Sequence, residues 1–236
     1  MSDTQKFSAN PYNNRNFLIN ESNVKDIMNL FGIHDFKPNN IKLYQTAFIH
    51  KSYIPMKDYE EYTNDDNSLP LQPESYEKME FLGDSILGYV VCKYIYQRYT
   101  LIYNKDEGFL TKLKNRLVCG EMLAQLSKNV GFDKFIVISK HIEDNCDGRT
   151  NKNILEDVFE AFIGALYLDK GDIQLIDTFL INIYEMFVDF GEIILVDTNY
   201  KDQISRYFQN TFNTYPKYEI IKTDTHYCCN LYKDSK

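Results

Sequence analysis

The sequence predicts an all-α protein followed by a short α+β piece at its C-terminal end. Apolar residues recur at helical spacing from Ser22 to about residue 190, and period-2 alternation is scarce before residue 215. The composition, 44% hydrophobic and 25% charged with 10 Gly and 6 Pro in 236 residues, is that of a soluble globular chain with a real core. Collagen-like, elastic and wholly disordered classes are excluded.

Residues 1–20 are rich in Asn, Ser and Gln and read as a flexible tail. The first helix starts near Ser22, a suitable N-cap; Val24, Ile27, Met28 and Phe31 form one face and Gly32 closes it. A second helix fits Asn40 to His50, with Ile41, Tyr44, Ala47 and Phe48 on one stripe. Lys57 to Ser75 is acidic, broken by Pro70 and Pro73 and free of any period, so it reads as an exposed loop or insertion. Helices then fit about 75–100, 107–128, 152–169 and 172–190. Turn signals at Asn104-Lys105-Asp106, Gly131, Asp147-Gly148 and Lys170-Gly171 separate them. Tyr200 to Thr211 can form one more helix, and Tyr215-Pro216 opens a strand, YPKYEIIKT. A helix with one or two strands cannot bury a core alone. Residues 197–236 are therefore a docked appendage or the front of a truncated domain.

No run reaches the roughly 18 apolar residues of a membrane-spanning helix. The opening MSDTQKFSANPYNNRNF lacks the basic-then-apolar pattern of an export signal, so a soluble, intracellular chain is expected, cytoplasmic with the nucleus open. The cysteines, Cys92, Cys119, Cys146, Cys228 and Cys229, contain no C-x-x-C and indicate neither a zinc site nor a disulfide framework. Cys92 lies on an apolar stripe and is expected in the core. The 26 Lys+Arg against 34 Asp+Glu give a net charge of −8, which argues against nucleic-acid binding by charge alone. It is compatible with carboxylates gathered around divalent cations.

Two helices carry such carboxylates. In YEKMEFLGDSILGYVVCKYIY, Glu77, Glu80 and Asp84 stand at i, i+3 and i+7, within about 60° of one another on one face. That helix is apolar nearly all round, which predicts burial. In NILEDVFEAFIGALYLDKG, Asp157 and Glu160 stand at i and i+3, and Gly164 follows on the same stripe, where a missing side chain lets another helix come close. Buried carboxylates must be paired, protonated or bound to metal. Few basic residues are at hand, and Lys78 points away from the stripe. Mg²⁺, which prefers oxygen ligands and keeps waters that a phosphate can replace, is the economical answer. A lone D-x-x-E is ordinarily a surface pair; two such sets inside apolar helices weaken that reading. A di-iron bundle would need Glu-x-x-His, and none of His34, His50, His141 and His226 lies three residues after a Glu.

The stretch EKMEFLGDSILG, Glu77 to Gly88, resembles the signature of the ribonuclease III family of double-stranded-RNA endonucleases. Three further segments resemble that family in the same order: AFIHKSY (Ala47–Tyr53), DEGFLTKLKNRLVCGEMLAQL (Asp106–Leu126) and NILEDVFEAFIGALYLDKG (Asn153–Gly171). The resemblance spans about residues 22–192, which places an endonuclease domain at 21–192. It implies a helical-bundle fold of the ribonuclease III catalytic type. It also implies that Glu80, Asp84, Asp157 and Glu160 bind catalytic Mg²⁺, with Mn²⁺ able to substitute. Glu77 and Glu107 match further acidic positions of the site, Glu107 more peripherally. Phe81 matches a residue that plugs into a socket on a partner subunit, which implies a homodimer. Tyr76, where many relatives carry a small polar residue, and the insert Lys57–Ser75 depart from the pattern. The segment NYKDQISRYFQNTFNTYPKYEII is similar to the start of a double-stranded-RNA-binding domain. Residues 197–236 hold 6 Lys+Arg against 5 Asp+Glu, far from a basic patch.

The activity that the resemblance implies is Mg²⁺-dependent hydrolysis of double-stranded RNA to staggered products with 5′-phosphate and 3′-hydroxyl ends. No Ser-His or Cys-His pair offers a covalent route, so hydrolysis should be direct. Candidate phosphate contacts are Lys112, Lys114, Arg116, Arg149 and Lys152, with solvated surface charge as the plainer role of each. Two other readings stay open. One is a catalytically inactive relative serving as an RNA-binding or assembly scaffold, although every expected acid is present. The other is an unrelated helical metal- or partner-binding module.

Overall fold

The computed structural model describes residues 10–64, 67–195, 200–223 and 225–233. It divides into two compact units, one ending at Asp189 and one beginning at Phe190. The first holds α1 (Glu21–Leu30), α2 (Ile41–Thr46), α3 (Glu77–Ile95), α4 (Glu107–Leu117), α5 (Gly120–Val130), α6 (Lys140–Asn145), α7 (Lys152–Lys170) and α8 (Ile173–Phe187). No described helix is long and apolar enough to cross a membrane.

Helix α7 is the axis of this unit, and α2, α3, α5 and α8 all pack on it. Its residues Ile154 to Leu166 are buried apart from Glu156 and Asp157, which are half-buried. Phe162 sits at the centre of an aromatic cluster, with ring centroids 4.7 Å from Phe132, 5.6 Å from Tyr44 and Phe179, and 6.1 Å from Phe48. Rings of this size contribute large buried areas in fixed geometry, which locks the helix against rotation. Asn151 caps its first turn and Gly171, at φ +61°, ends it.

Several expectations are corrected. Residues 10–20 are no loose tail: Asn13 and Asn16 are buried and donate to the carbonyl of Ile138 (3.2 and 2.8 Å), and Ile19 enters the core. Polar side chains near a chain end look solvated in sequence, but here they satisfy backbone groups of another segment. Residues 1–9 lie outside the described residues. The cap of α1 is Asn20 rather than Ser22, in a reciprocal capping box with Asn23. Helix α2 stops at Thr46, short of His50, because the chain then pairs with a distant segment. His50 N donates to Val137 O (3.0 Å) and Val137 N to Phe48 O (2.8 Å). The stretch 107–128 is two helices, α4 and α5, broken at Val118-Cys119. Tyr184, buried on α8, donates its hydroxyl to the freed carbonyl of Leu117 (2.8 Å). Residues 57–75 are largely exposed, but Leu69 and Leu71 pack against Ile49, Tyr53 and Val137. Asp65 and Asp66 of that segment lie outside the described residues.

Cys92 is exposed, not in the core. With Phe81, Tyr89 and Tyr96 it forms an outward stripe along α3, so a helix that is apolar all round in sequence is buried on only part of its circumference. The helix ends in a single π-type turn at Tyr96–Thr100.

The second unit contains α9 (Phe190–Leu195), α10 (Tyr200–Phe212) and a hairpin of β1 (Lys217–Lys222) and β2 (Tyr227–Tyr232). The strands are antiparallel, from Lys217 opposite Tyr232 to Lys222 opposite Tyr227, and both are exposed throughout. The expected helix and strand are there. The second strand completes a hairpin that covers no core of its own.

Candidate active site

Helices α3 and α7 approach backbone to backbone. A Cβ on Gly83 would stand 1.8 Å from the carbonyl oxygen of Glu160, and one on Gly164 would stand 2.2 Å from that of Met79. The close approach expected at Gly164 is present, and Gly83 answers it from the other helix. The acids flank this crossing, Glu77, Glu80 and Asp84 on α3 and Asp157 and Glu160 on α7, but the burial expected of them holds fully only for Glu160. Glu80 and Asp157 are half-buried, and Glu77 and Asp84 are exposed because α3 buries only part of its circumference.

Glu160 is 8% exposed. Burial, followed by the charges of Asp84, Glu156, Glu80 and Asp157, pushes its carboxyl up to about 8. Glu80 is raised by burial and by Asp157 and Glu77; Glu156 is raised by burial and by Asp157 and Asp84. Asp157 is raised by burial, offset by a hydrogen bond from the Tyr76 hydroxyl. These acids therefore share one field. The largest neighbouring charge on Glu160 is that of Asp84. Among the described residues no Lys or Arg forms an ion pair with Glu80, Asp84, Asp157 or Glu160. Lys78 pairs with Glu74 (3.4 Å) instead.

The donor set is all carboxylate oxygen, which suits Mg²⁺ or Mn²⁺. Among the described residues no three His, Cys, Asp or Glu side chains are already drawn together as ligands of one ion. Carboxylates that repel one another stand apart unless a cation draws them in. The burial of Glu160 among acids, with no cation among the described residues acting on it, is the feature that fits a divalent metal.

Two further charged residues join the site. Glu156 lies one residue before Asp157 and four before Glu160; a Cβ on Gly120, at the start of α5, would stand 2.3 Å from its Oε2. The i,i+4 spacing to Glu160 could have revealed it. Lys51 donates to Glu77 (3.2 Å), and its charge lowers both Glu80 and Asp157. It is placed by the short turn Lys51–Tyr53, which His50 caps by accepting Ser52 N at 3.1 Å. Burial and Lys51 lower His50 to about 4, so the ring stays neutral and able to accept. Lys51 lies in AFIHKSY, one of the segments that resemble the family, but no helical spacing ties it to the acids, which it reaches only through the fold.

Glu107 is not brought to the cluster: it lies in the first turn of α4, accepts the Thr111 hydroxyl (2.8 Å), and is not among the charges acting on Glu80, Asp157 or Glu160. Phe81 is 79% exposed on the outward stripe of α3. Of the candidate cations, Lys112 is exposed and Lys114 and Arg116 are half-buried on α4, while Lys152 pairs with Glu121 at 2.8 Å. Arg149 is spent inside the fold: it pairs with Glu143 and donates to Asn16 Oδ1 (2.9 Å).

A family model described as "Ribonuclease-III-like" matches residues 40–185. The chain is 33% identical over 220 residues to "Probable ribonuclease 3" of Acanthamoeba polyphaga mimivirus, covering 90% of this chain but 36% of that protein. It is 30% identical over 210 residues to "Ribonuclease 3" of Borreliella afzelii, covering 84% of this chain and 76% of that one. A crystal structure of the nuclease domain of ribonuclease III from Campylobacter jejuni superposes with a TM-score of 0.54 at 26% identity, over 72% of this chain and 97% of that domain. A second structure of that domain, at 27% identity and a TM-score of 0.54, covering 71% and 99%, concerns flexibility in a region involved in its dimer formation.

Proposed function

Since the chain belongs to the ribonuclease III family and is an endonuclease of that type, we propose that it hydrolyses double-stranded RNA with Mg²⁺, as a homodimer, leaving staggered 5′-phosphate and 3′-hydroxyl ends. The observation that carries the reading is Glu160: a carboxyl 8% exposed, facing further acids with no cationic partner among the described residues. Burying such a group is costly unless a cation joins it. Glu80, Asp84, Asp157 and Glu160 would hold the ion. When bound, Mg²⁺ supplies a lowered pKa for a water and charge stabilisation at the scissile phosphate.

The chain's own residues do the remainder. The α3–α7 crossing fixes the carboxylates on rigid helices rather than loops, which keeps them within the tolerance that catalysis needs. Lys51, at the rim beside Glu77, keeps local positive charge where an anionic backbone arrives. Lys112, Lys114, Arg116 and Lys152 are the candidate phosphate contacts. Duplex RNA is read by shape and 2′-hydroxyls, so this face needs charge and contour rather than base-specific side chains. With a net charge of −8, binding is weak and falls steeply with salt.

Incubation of the chain with long paired RNA tests the reading. Short staggered duplexes are expected with Mg²⁺ and intact RNA without it; RNA retarded in a gel but uncut under both conditions would favour a scaffold. The exposed Phe81 supports the dimer. Phe81→Ala is expected to weaken self-association about ten- to a hundredfold, the worth of one buried aromatic, as read by sedimentation. An unchanged dimer mass at low concentration would count against that role.

A further inference from the structure

We propose that Tyr76 is a positioning residue for the metal site: its buried hydroxyl, donating to Oδ2 of Asp157, fixes the direction in which that carboxylate faces. The inference rests on the reading of Asp157 as a metal ligand and adds the device that aims it.

The hydroxyl lies 2.8 Å from Asp157 Oδ2, and Tyr76 as a whole is 2% exposed. Four contacts hold the residue in place. Its backbone N–H donates to Ile49 O at 2.9 Å, and its ring centroid lies 5.8 Å from that of His50. Its carbonyl accepts the N–H groups of Met79 (2.8 Å) and Glu80 (2.9 Å), so Tyr76 opens the first turn of α3. One residue thus ties together the Ile49–Val137 bridge, the turn that carries Glu80, and Asp157 on α7.

The Asp157 carboxylate has no other hydrogen-bond partner among the described residues, so this bond is the one directional contact on its side-chain torsions. A donor on Oδ2 restricts rotation of the carboxylate and leaves Oδ1 without a hydrogen-bond donor among the described residues. Partners that orient a metal ligand in this way commonly matter ten- to a hundredfold in metal affinity. A phenol is protonated throughout the neutral range, so the hydroxyl is a standing donor to Asp157. Simple packing does not require the hydroxyl: phenylalanine would fill the same space.

Tyr76→Phe separates the two roles. The full chain, free of RNA, is titrated calorimetrically with MnCl₂, and RNA cleavage is measured across Mn²⁺ concentration. The variant is expected to bind Mn²⁺ about tenfold or more weakly. It should need correspondingly more Mn²⁺ to reach half its maximal rate, with KM for long duplex RNA unchanged at saturating metal. Near-ultraviolet circular dichroism should match the parent chain. A Phe variant whose Mn²⁺ affinity stays within twofold of the parent overturns the inference and leaves the metal reading standing. A parent chain that takes up no Mn²⁺ overturns both.

Discussion

Glu160→Gln is expected to abolish cleavage of long paired RNA and, in metal-free buffer at pH 8, to melt at a higher temperature than the parent chain. The two effects have one cause. In the folded chain the carboxyl is pushed up to about 8, whereas its ordinary value is 4.5. Between those values the unfolded chain has lost the proton and the folded chain keeps it, so stability falls as pH rises through that window. Above pH 8 the full cost applies, on the order of a few kcal/mol. Gln keeps the shape and removes the charge, so the variant escapes that cost; a gain of several degrees is expected for a unit of this size. The advantage should vanish toward pH 4, where both states of the parent are protonated. Added Mg²⁺ should reverse the ranking, because only the parent gains binding energy that favours the folded state. Loss of a ligand should cost more in rate than the ten- to hundredfold typical of outer partners. Melting curves at pH 5 and 8, with and without Mg²⁺, check the thermodynamic half. A Gln variant that melts below the parent at pH 8 without metal would show the carboxylate to be structural.

That the acids are legible in sequence at all follows from their spacing. Glu80, Asp84, Asp157 and Glu160 stand at helical spacing, so periodicity alone brings them to one side of each helix, but it overstates their burial: Glu160 is buried, Glu80 and Asp157 are half-buried and Asp84 is exposed. Helical spacing could equally have revealed Glu156, four residues before Glu160. Lys51 and the Tyr76 hydroxyl were not legible as site residues, because 26 residues separate Lys51 from Glu77 and 81 separate Tyr76 from Asp157. Their placement depends on the Ile49–Val137 bridge, a single pairing with no periodic signal. Cys92 misled for the opposite reason. Its apolar neighbours imply a core, but a hydrophobic stripe reads the same whether it faces the interior or, as with Phe81, Tyr89 and Tyr96, the outside. Asn13 and Asn16 show the same ambiguity for polar residues: an amide that satisfies a buried carbonyl cannot be told in sequence from one in water.

The second large effect is structural and acts on the same site. Gly83→Ala is expected to destabilise the chain by about 3 kcal/mol or more and to abolish binding of Mn²⁺ by whatever remains folded. In an open helix position, alanine in place of glycine stabilises by roughly 0.5–1 kcal/mol. Here the added methyl would stand 1.8 Å from the carbonyl oxygen of Glu160 and 3.0 Å from Gly164 N, and both are backbone atoms that no side-chain rotation can move aside. Helix α3 must therefore shift away from α7, and Glu80 and Asp84 move with it, away from Asp157 and Glu160. Gly164→Ala should behave alike, since its Cβ would meet Met79 O at 2.2 Å. Gly108→Ala, also in a helix but with its nearest atom 3.7 Å away, is the control expected to be neutral or mildly stabilising. Chemical denaturation of the three variants, followed by Mn²⁺ titration of each folded chain, separates the outcomes. A Gly83→Ala chain as stable as the Gly108 control would mean that the two helices do not meet at this crossing, and the convergence of the acids would lose its geometric basis.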